Sequence, residues 1–177
     1  MTAEEIYESV TNGGASDFAE AAAILESAGR WCLIGGLAVN CYVEPVYTID
    51  ADIVVASENL ARIREDFRAV GFVLEEFAHS LNAIKPGSKL RIQFTQDPRY
   101  LAFIDRAERR EVLGQLIPVA RLEDIVQGKV WAWSDAESRT TKRKKDELDL
   151  LRIAEAFPNL RAVMPPEIAA QLKGDAS

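Results

Sequence analysis

Apolar positions along this chain fall into short β-like runs and longer runs of helical period, and their alternation predicts most of the elements. Asp17 followed by Glu20 has capping-box spacing, and the alanine-rich stretch behind it predicts a helix to Ser27, closed by Ala28-Gly29. Trp31 to Ile34 is a short apolar run that ends at Gly35-Gly36, and LAVNCYVEP behind it predicts a helix stopped before Pro45. YTIDADIVVAS is rich in β-branched residues and predicts a strand, while ENLARIREDFRAVG predicts an amphipathic helix ended by Gly71. SLNAIKPGSKLRIQFT has two β-like runs about Pro86-Gly87 and predicts a hairpin. PRYLAFIDRAERR then predicts a helix with Pro98 in its first turn, and EVLGQLIPVA a further strand ending near Pro118. The last third predicts helices over LEDIVQGKVWAWSD, TTKRKKDELDLLRIAEAF and PPEIAAQLKG.

The expected class is therefore α+β, a mixed sheet flanked by helices with a helical C-terminal portion. At 177 residues the chain is long enough for one cored domain with an appendage, expected as an α/β part over 1–120 and a helical segment over 121–177 packed on it. With 48% hydrophobic and 28% charged residues it has an ordinary globular composition. No apolar run reaches the roughly 18 residues of a membrane span, and MTAEEIYESV is acidic rather than signal-like, so the expected location is the cytoplasm, with no membrane partner. Cys32, Cys41 and His79 are the whole Cys/His complement, too few for a zinc site. A net charge of −7 argues against general DNA binding. Arg139, Lys142, Arg143, Lys144 and Lys145 still form a local basic run, read either as an acceptor-binding patch or as a solvated helix start.

Asp50 and Asp52 lie two apart on a predicted strand, so their carboxylates share a face. Paired acids need a cation, and Mg²⁺ suits them because it accepts one or two carboxylates and completes its shell with phosphate oxygens and water. Gly35-Gly36, without β-carbons, would let backbone N–H groups approach a polyphosphate at a helix start. Separately, two acids on a solvent-facing edge and a tight turn explain these motifs; together they describe a phosphate cradle facing a metal site.

At about 100° per residue, Leu122, Ile125, Val126, Lys129 and Trp133 form one helical stripe. Lys129 therefore stands among apolar neighbours, where it either snorkels to the edge or meets a phosphate, with Gly128 leaving room beside it. Arg143, Asp146, Leu150, Ala154 and Phe157 form a second stripe, which turns Arg143 and Asp146 toward the fold as a site or as a structural ion pair. Trp131 is expected on the outer side of its helix.

GGLAVNCYVEPVYTIDADIVV resembles the GG…T-x-D-x-D signature of polymerase-beta-like minimal nucleotidyltransferases. Gln127-Gly128-Lys129 before VWAW, and KRKKDELDL, resemble the lysine and Arg-x-Lys-Asp-x-x-Asp-Leu segments of the AbiEii-like toxin nucleotidyltransferases of type IV toxin-antitoxin systems, in the same order over about residues 30 to 155. The resemblance implies a nucleotidyltransferase fold and Mg-dependent transfer of a nucleotide from an NTP to an RNA or protein acceptor, with a cognate antitoxin as a possible partner. It implies Asp50 and Asp52 as metal ligands, and Gly35, Gly36, Thr48, Gln93, Lys129, Arg143 and Lys145 as nucleotide contacts. Asp50, Asp52, Lys129 and Asp146 would carry the chemistry. The departure is LRIQF, where Gln93 stands in place of the family's third carboxylate. An amide cannot act as a base, so activation of the acceptor would weaken or shift to Asp50, Asp97 or Asp146, and the expectation is a single-metal enzyme with a restricted acceptor. The alternative is a nucleotide-binding module without transfer activity.

Overall fold

The computed structural model describes residues 2–172. Periodicity did not reveal helix α1 (Ala3–Thr11). The capping box expected at Asp17 and Glu20 belongs to this helix instead: Thr2 Oγ1 accepts from the Glu5 N–H at 3.1 Å, and Glu5 Oε2 accepts from the Thr2 N–H at 2.6 Å. Helix α2 (Gly14–Ala28) begins before Asp17 because Asn12 and Gly13 turn left-handed and the Gly14 N–H donates to Thr11 Oγ1 at 3.0 Å. Asp17 and Glu20 both face Lys85.

Strand β1 (Trp31–Ile34) runs into helix α3 (Gly35–Val39), whose first turn contains both glycines. The helix expected up to Pro45 stops at Val39. Beyond it the Asn40 side chain clasps the Val46 backbone, donating to its carbonyl at 2.7 Å and accepting from its N–H at 3.1 Å, which fixes a loop. Strand β2 (Asp50–Val55) and helix α4 (Leu60–Ala69) follow as expected, and Gly71 has φ 96°. Strand β3 (Val73–Glu76) gave no alternating signal because it is a largely exposed edge strand. Strands β4 (Ser80–Ile84) and β5 (Arg91–Thr95) form the predicted hairpin.

Helix α5 (Leu101–Arg106), preceded by a 3₁₀ turn capped by Asp97, is shorter than expected. Glu108, Arg109 and Arg110 open strand β6 (Glu108–Val112) instead, and Leu113 and Gly114, both at positive φ, turn it into β7 (Gln115–Val119). The single strand expected over EVLGQLIPVA is thus most of a hairpin. Helices α6 (Leu122–Ser134), α7 (Thr140–Ala156) and α8 (Pro166–Ala169) complete the described chain; Lys173 and Gly174 of the last predicted helix lie outside the described residues. No helix among the described residues is long and apolar enough to cross a membrane.

The seven strands form one mixed sheet in the order β3-β4-β5-β2-β1-β7-β6. Strand β2 is antiparallel to β1 and parallel to β5, with Asp50 opposite Arg91 and Asp52 opposite Gln93. Alternation assigns the faces. Ala51, Ile53 and Ile92 pack against Phe18, Ala21, Ala22 and Leu25 of α2, while Phe94 meets Phe67 of α4 edge-on at 5.4 Å. Truncating a fully buried ring such as Phe67 costs about 3–5 kcal/mol, so this face anchors the sheet. Asp50, Asp52, Gln93 and Thr95 are left to the other face, which α5 and α6 cover only in part.

Candidate active site

The uncovered part is a cavity of about 130 Å³ between the sheet and the helical layer. On the sheet side it is lined by Ile34, Gly35, Asp52, Gln93 and Thr95, and on the helical side by Tyr100, Phe103, Gly128, Lys129, Lys142 and Asp146, among others. The register explains the sheet side: Ile34 at the end of β1 is opposite Asp52, so the next residue, Gly35, lies directly against that carboxylate. Gly35 has φ 74°, and a β-carbon there would stand 2.0 Å from Asp52 Oδ2, so only glycine fits. Gly36 faces away from the cavity toward Thr48, whose Oγ1 would lie 3.5 Å from a β-carbon at Gly36 and accepts from the Asp50 N–H at 3.4 Å.

Asp52 is half-buried and has no hydrogen bond or ion pair. Loss of water pushes its carboxyl up to about 6, against the pull of Lys129 and with the added push of Asp50. Asp50 shares its face but is engaged elsewhere, since Arg91 Nε donates to its Oδ1 at 2.9 Å and Nη2 lies 2.8 Å from the same oxygen. Gln93 stands beside Asp52 as its cross-strand neighbour, with Asn82 of β4 beyond it in the same row.

The helical side is organised around Lys129. Its Nζ lies 2.8 Å from Asp146 Oδ1 and 2.8 Å from Asp149 Oδ2, and only 11% of its side chain is exposed. Burial alone would pull this ammonium down, yet Asp149 and Asp146 outweigh it and hold it above the ordinary lysine range. Lys129 therefore neither snorkels nor waits for an anion; it already has two. Asp149 Oδ1 in turn accepts from Arg152 Nη1 at 2.7 Å. Asp146 Oδ2 is buried without a partner, and its residue lines the cavity.

Gly128 serves Tyr100 rather than Lys129: a β-carbon there would come within 2.9 Å of the Tyr100 ring, and the Tyr100 hydroxyl donates to the Gly128 carbonyl at 3.2 Å. Burial pushes that hydroxyl up to about 12, so it remains a donor at neutral pH. Trp131, expected on the outer side, packs instead: it stacks on Phe103 at 5.8 Å with the Arg99 guanidinium 4.7 Å from its ring.

The structure thus brings Gly35, Asp52, Gln93, Lys129 and Asp146 together around one space. Asp50, Gly36 and Thr48 are not in its lining. Arg143 turns away, donating to the Trp133 carbonyl at 3.0 Å, and Lys145 is exposed. Lys142, one turn before Asp146, lines the cavity in their stead. Lys142 and Asp149 were visible in the basic run and in KRKKDELDL, and their helical spacing from Asp146 was the available signal. Tyr100 and Thr95 carried none.

Half-buried carboxyl and carboxamide oxygens are the hard donors that Mg²⁺ takes, and Asp52 lacks any other counter-charge in direct contact, so the residues fit such an ion. The described residues contain no group of three or more His, Cys, Asp or Glu placed to hold a metal.

A family profile described as nucleotidyl transferase AbiEii toxin, type IV TA system, matches residues 18–174. The chain belongs to the AbiEii family. It is accordingly a nucleotidyltransferase of the type IV toxin-antitoxin class, and the resemblance read from the sequence holds. No curated protein matches the sequence. Among solved structures, the antibiotic-resistance factor ANT(2'')-Ia is 14% identical, with 88% of this chain and 93% of that one covered at a TM-score of 0.58. An antigenic nucleotidyltransferase-like protein from Paracoccidioides brasiliensis is 16% identical, with 94% and 97% covered at a TM-score of 0.53. These likenesses establish that this AbiEii-family chain has the nucleotidyltransferase fold.

Proposed function

We propose that this AbiEii-family protein binds a nucleoside triphosphate with Mg²⁺ in the cavity and transfers its nucleotidyl group to a hydroxyl of an RNA or protein acceptor. The observation that carries the reading is Asp52: a carboxyl drawn out of water, without a partner, seated against a glycine whose missing β-carbon makes room for it, and facing Lys129 and Lys142. A protein retains such a group where a ligand supplies the missing charge.

Asp52, with the Gln93 amide oxygen beside it, would hold the ion. When bound, Mg²⁺ supplies positive charge to the polyphosphate oxygens. Gly35 makes room for the Asp52 carboxylate at the cavity, and Lys142 would offset the charge of the phosphates. Tyr100 and Phe103 offer apolar walls to the rest of the nucleotide. The acceptor oxygen attacks the α-phosphorus, the bond to the β-phosphate oxygen breaks, and pyrophosphate leaves with the bonding electrons. Of the three carboxylates considered for the acceptor's proton, Asp97 is tied to Arg99 and Asp50 to Arg91. Asp146 keeps one unpartnered oxygen at the cavity, which favours it as the proton acceptor.

A type IV toxin family also implies a cognate antitoxin as a partner. Binding without transfer remains the second reading, favoured by the neutral Gln93 beside Asp52. Incubation with labelled NTPs, Mg²⁺ and bulk tRNA or protein separates the two. Labelled product supports transfer; a rise in melting temperature with Mg²⁺ and NTP but no product selects the binding module. Absence of both effects would overturn the site itself.

A further inference from the structure

We propose that the cavity takes a single divalent cation and that Arg91 sets this number by serving as the fixed positive charge on Asp50. The inference rests on the metal-triphosphate reading of the site and deepens it. Asp50 and Arg91 are register partners in the parallel β2–β5 ladder, and the Arg91 N–H donates to the Ile49 carbonyl at 2.9 Å, so the backbone itself holds the two side chains together. Arg91 Nε donates to Asp50 Oδ1 at 2.9 Å, and Nη2 lies 2.8 Å from the same oxygen as an ion pair. This charge-assisted pairing commits Oδ1 to the guanidinium and leaves Oδ2 as the Asp50 oxygen for an ion.

The next pair along the ladder is Asp52 opposite the uncharged Gln93. These four positions therefore carry a net charge of one minus. A lone dication with a triphosphate is compatible with that field; two dications side by side repel each other and need more anionic ligands than are present. The helical wall's network adds no net negative charge, because Asp146 and Asp149 are balanced by Lys129 and Arg152. Arg91 thus stands where a second cation would otherwise find its ligand, as a positioning residue for Asp50.

The test is an equilibrium titration of the full chain with Mn²⁺ in the presence of one equivalent of a non-hydrolysable NTP analogue, with free Mn²⁺ read by electron paramagnetic resonance. The wild type is expected to bind one Mn²⁺ per chain. Arg91→Gln frees Asp50 and tightens that site about 10-fold. The double variant Arg91→Gln with Gln93→Glu restores a three-carboxylate field and takes up a second Mn²⁺. Two ions bound by the wild type, or an Arg91→Gln variant of unchanged affinity, overturns the inference while leaving the metal-nucleotide reading intact. A double variant that melts within a few degrees of the wild type yet stays at one ion does so too. A wild type that binds neither Mn²⁺ nor analogue removes the underlying reading and the inference with it.

Discussion

On the helical wall of the cavity Lys129 is enclosed by two carboxylates, one of which is held in turn by Arg152; on the sheet wall, facing it, Asp52 has no partner and a raised carboxyl. Both walls hold charge away from water, at a cost to stability. On the helical wall the charges answer one another, and the network locks α6 onto α7. On the sheet wall the compensation is left out, and on that asymmetry rests the proposal that Asp52 rather than Lys129 is where the ligand binds. A charged residue on a core stripe is thus ambiguous until its partners are known.

The largest effect should come from breaking the compensated wall. Lys129→Met leaves Asp146 and Asp149 facing each other without their cation and is expected to destabilise the protein by about 3–5 kcal/mol, measured by urea denaturation. A loss below about 1 kcal/mol would show that the network contributes little.

Neutralising the uncompensated wall should act in the opposite direction. The Asp52 carboxyl sits at about 6 in the folded protein against an ordinary 3.8, so folding favours its protonated form. Its ionisation costs stability as pH rises through that window, and the full cost is present above it. After allowance for solvent reaching the cavity, Asp52→Asn in chelator is expected to be about 2 kcal/mol more stable than the wild type at pH 7.5. The gap should close as pH falls from 6 to 4, and the stabilising effect of Mg²⁺ with NTP should vanish in the same variant. An Asp52→Asn protein less stable than wild type at pH 7.5 would contradict the assignment.

Gly35→Ala imposes a left-handed backbone on alanine and drives its methyl group into Asp52 Oδ2. A loss of about 1–2 kcal/mol is expected in thermal melts, together with loss of NTP binding. The smallest effect belongs to an exposed pair far from either wall: Asp66→Ala removes the Arg62 partner at 3.5 Å and should change stability by no more than about 0.5 kcal/mol, leaving nucleotide binding untouched. A larger change would mean that surface charge, rather than the difference between the two walls, governs this protein's electrostatics.

The amino-acid sequence by itself determined the strand-glycine-acid arrangement, because Gly35 and the Asp50/Asp52 period are local features whose geometry the backbone dictates. It also determined the two long helices, through their apolar period, and the family, through motifs in fixed order. Tertiary structure alone decided which charges meet. Register set Arg91 on Asp50 and Gln93 beside Asp52, and the packing of α7 against α6 gave Lys129 two carboxylates while sending Arg143 to the Trp133 carbonyl and Lys142 to the cavity. The edge strand β3 and the β6–β7 hairpin were likewise settled by pairing with distant partners. Local spacing fixes the face on which a side chain stands, but a charge's partner is supplied by residues remote in sequence, and that partner decides whether the charge locks the fold or waits for a ligand.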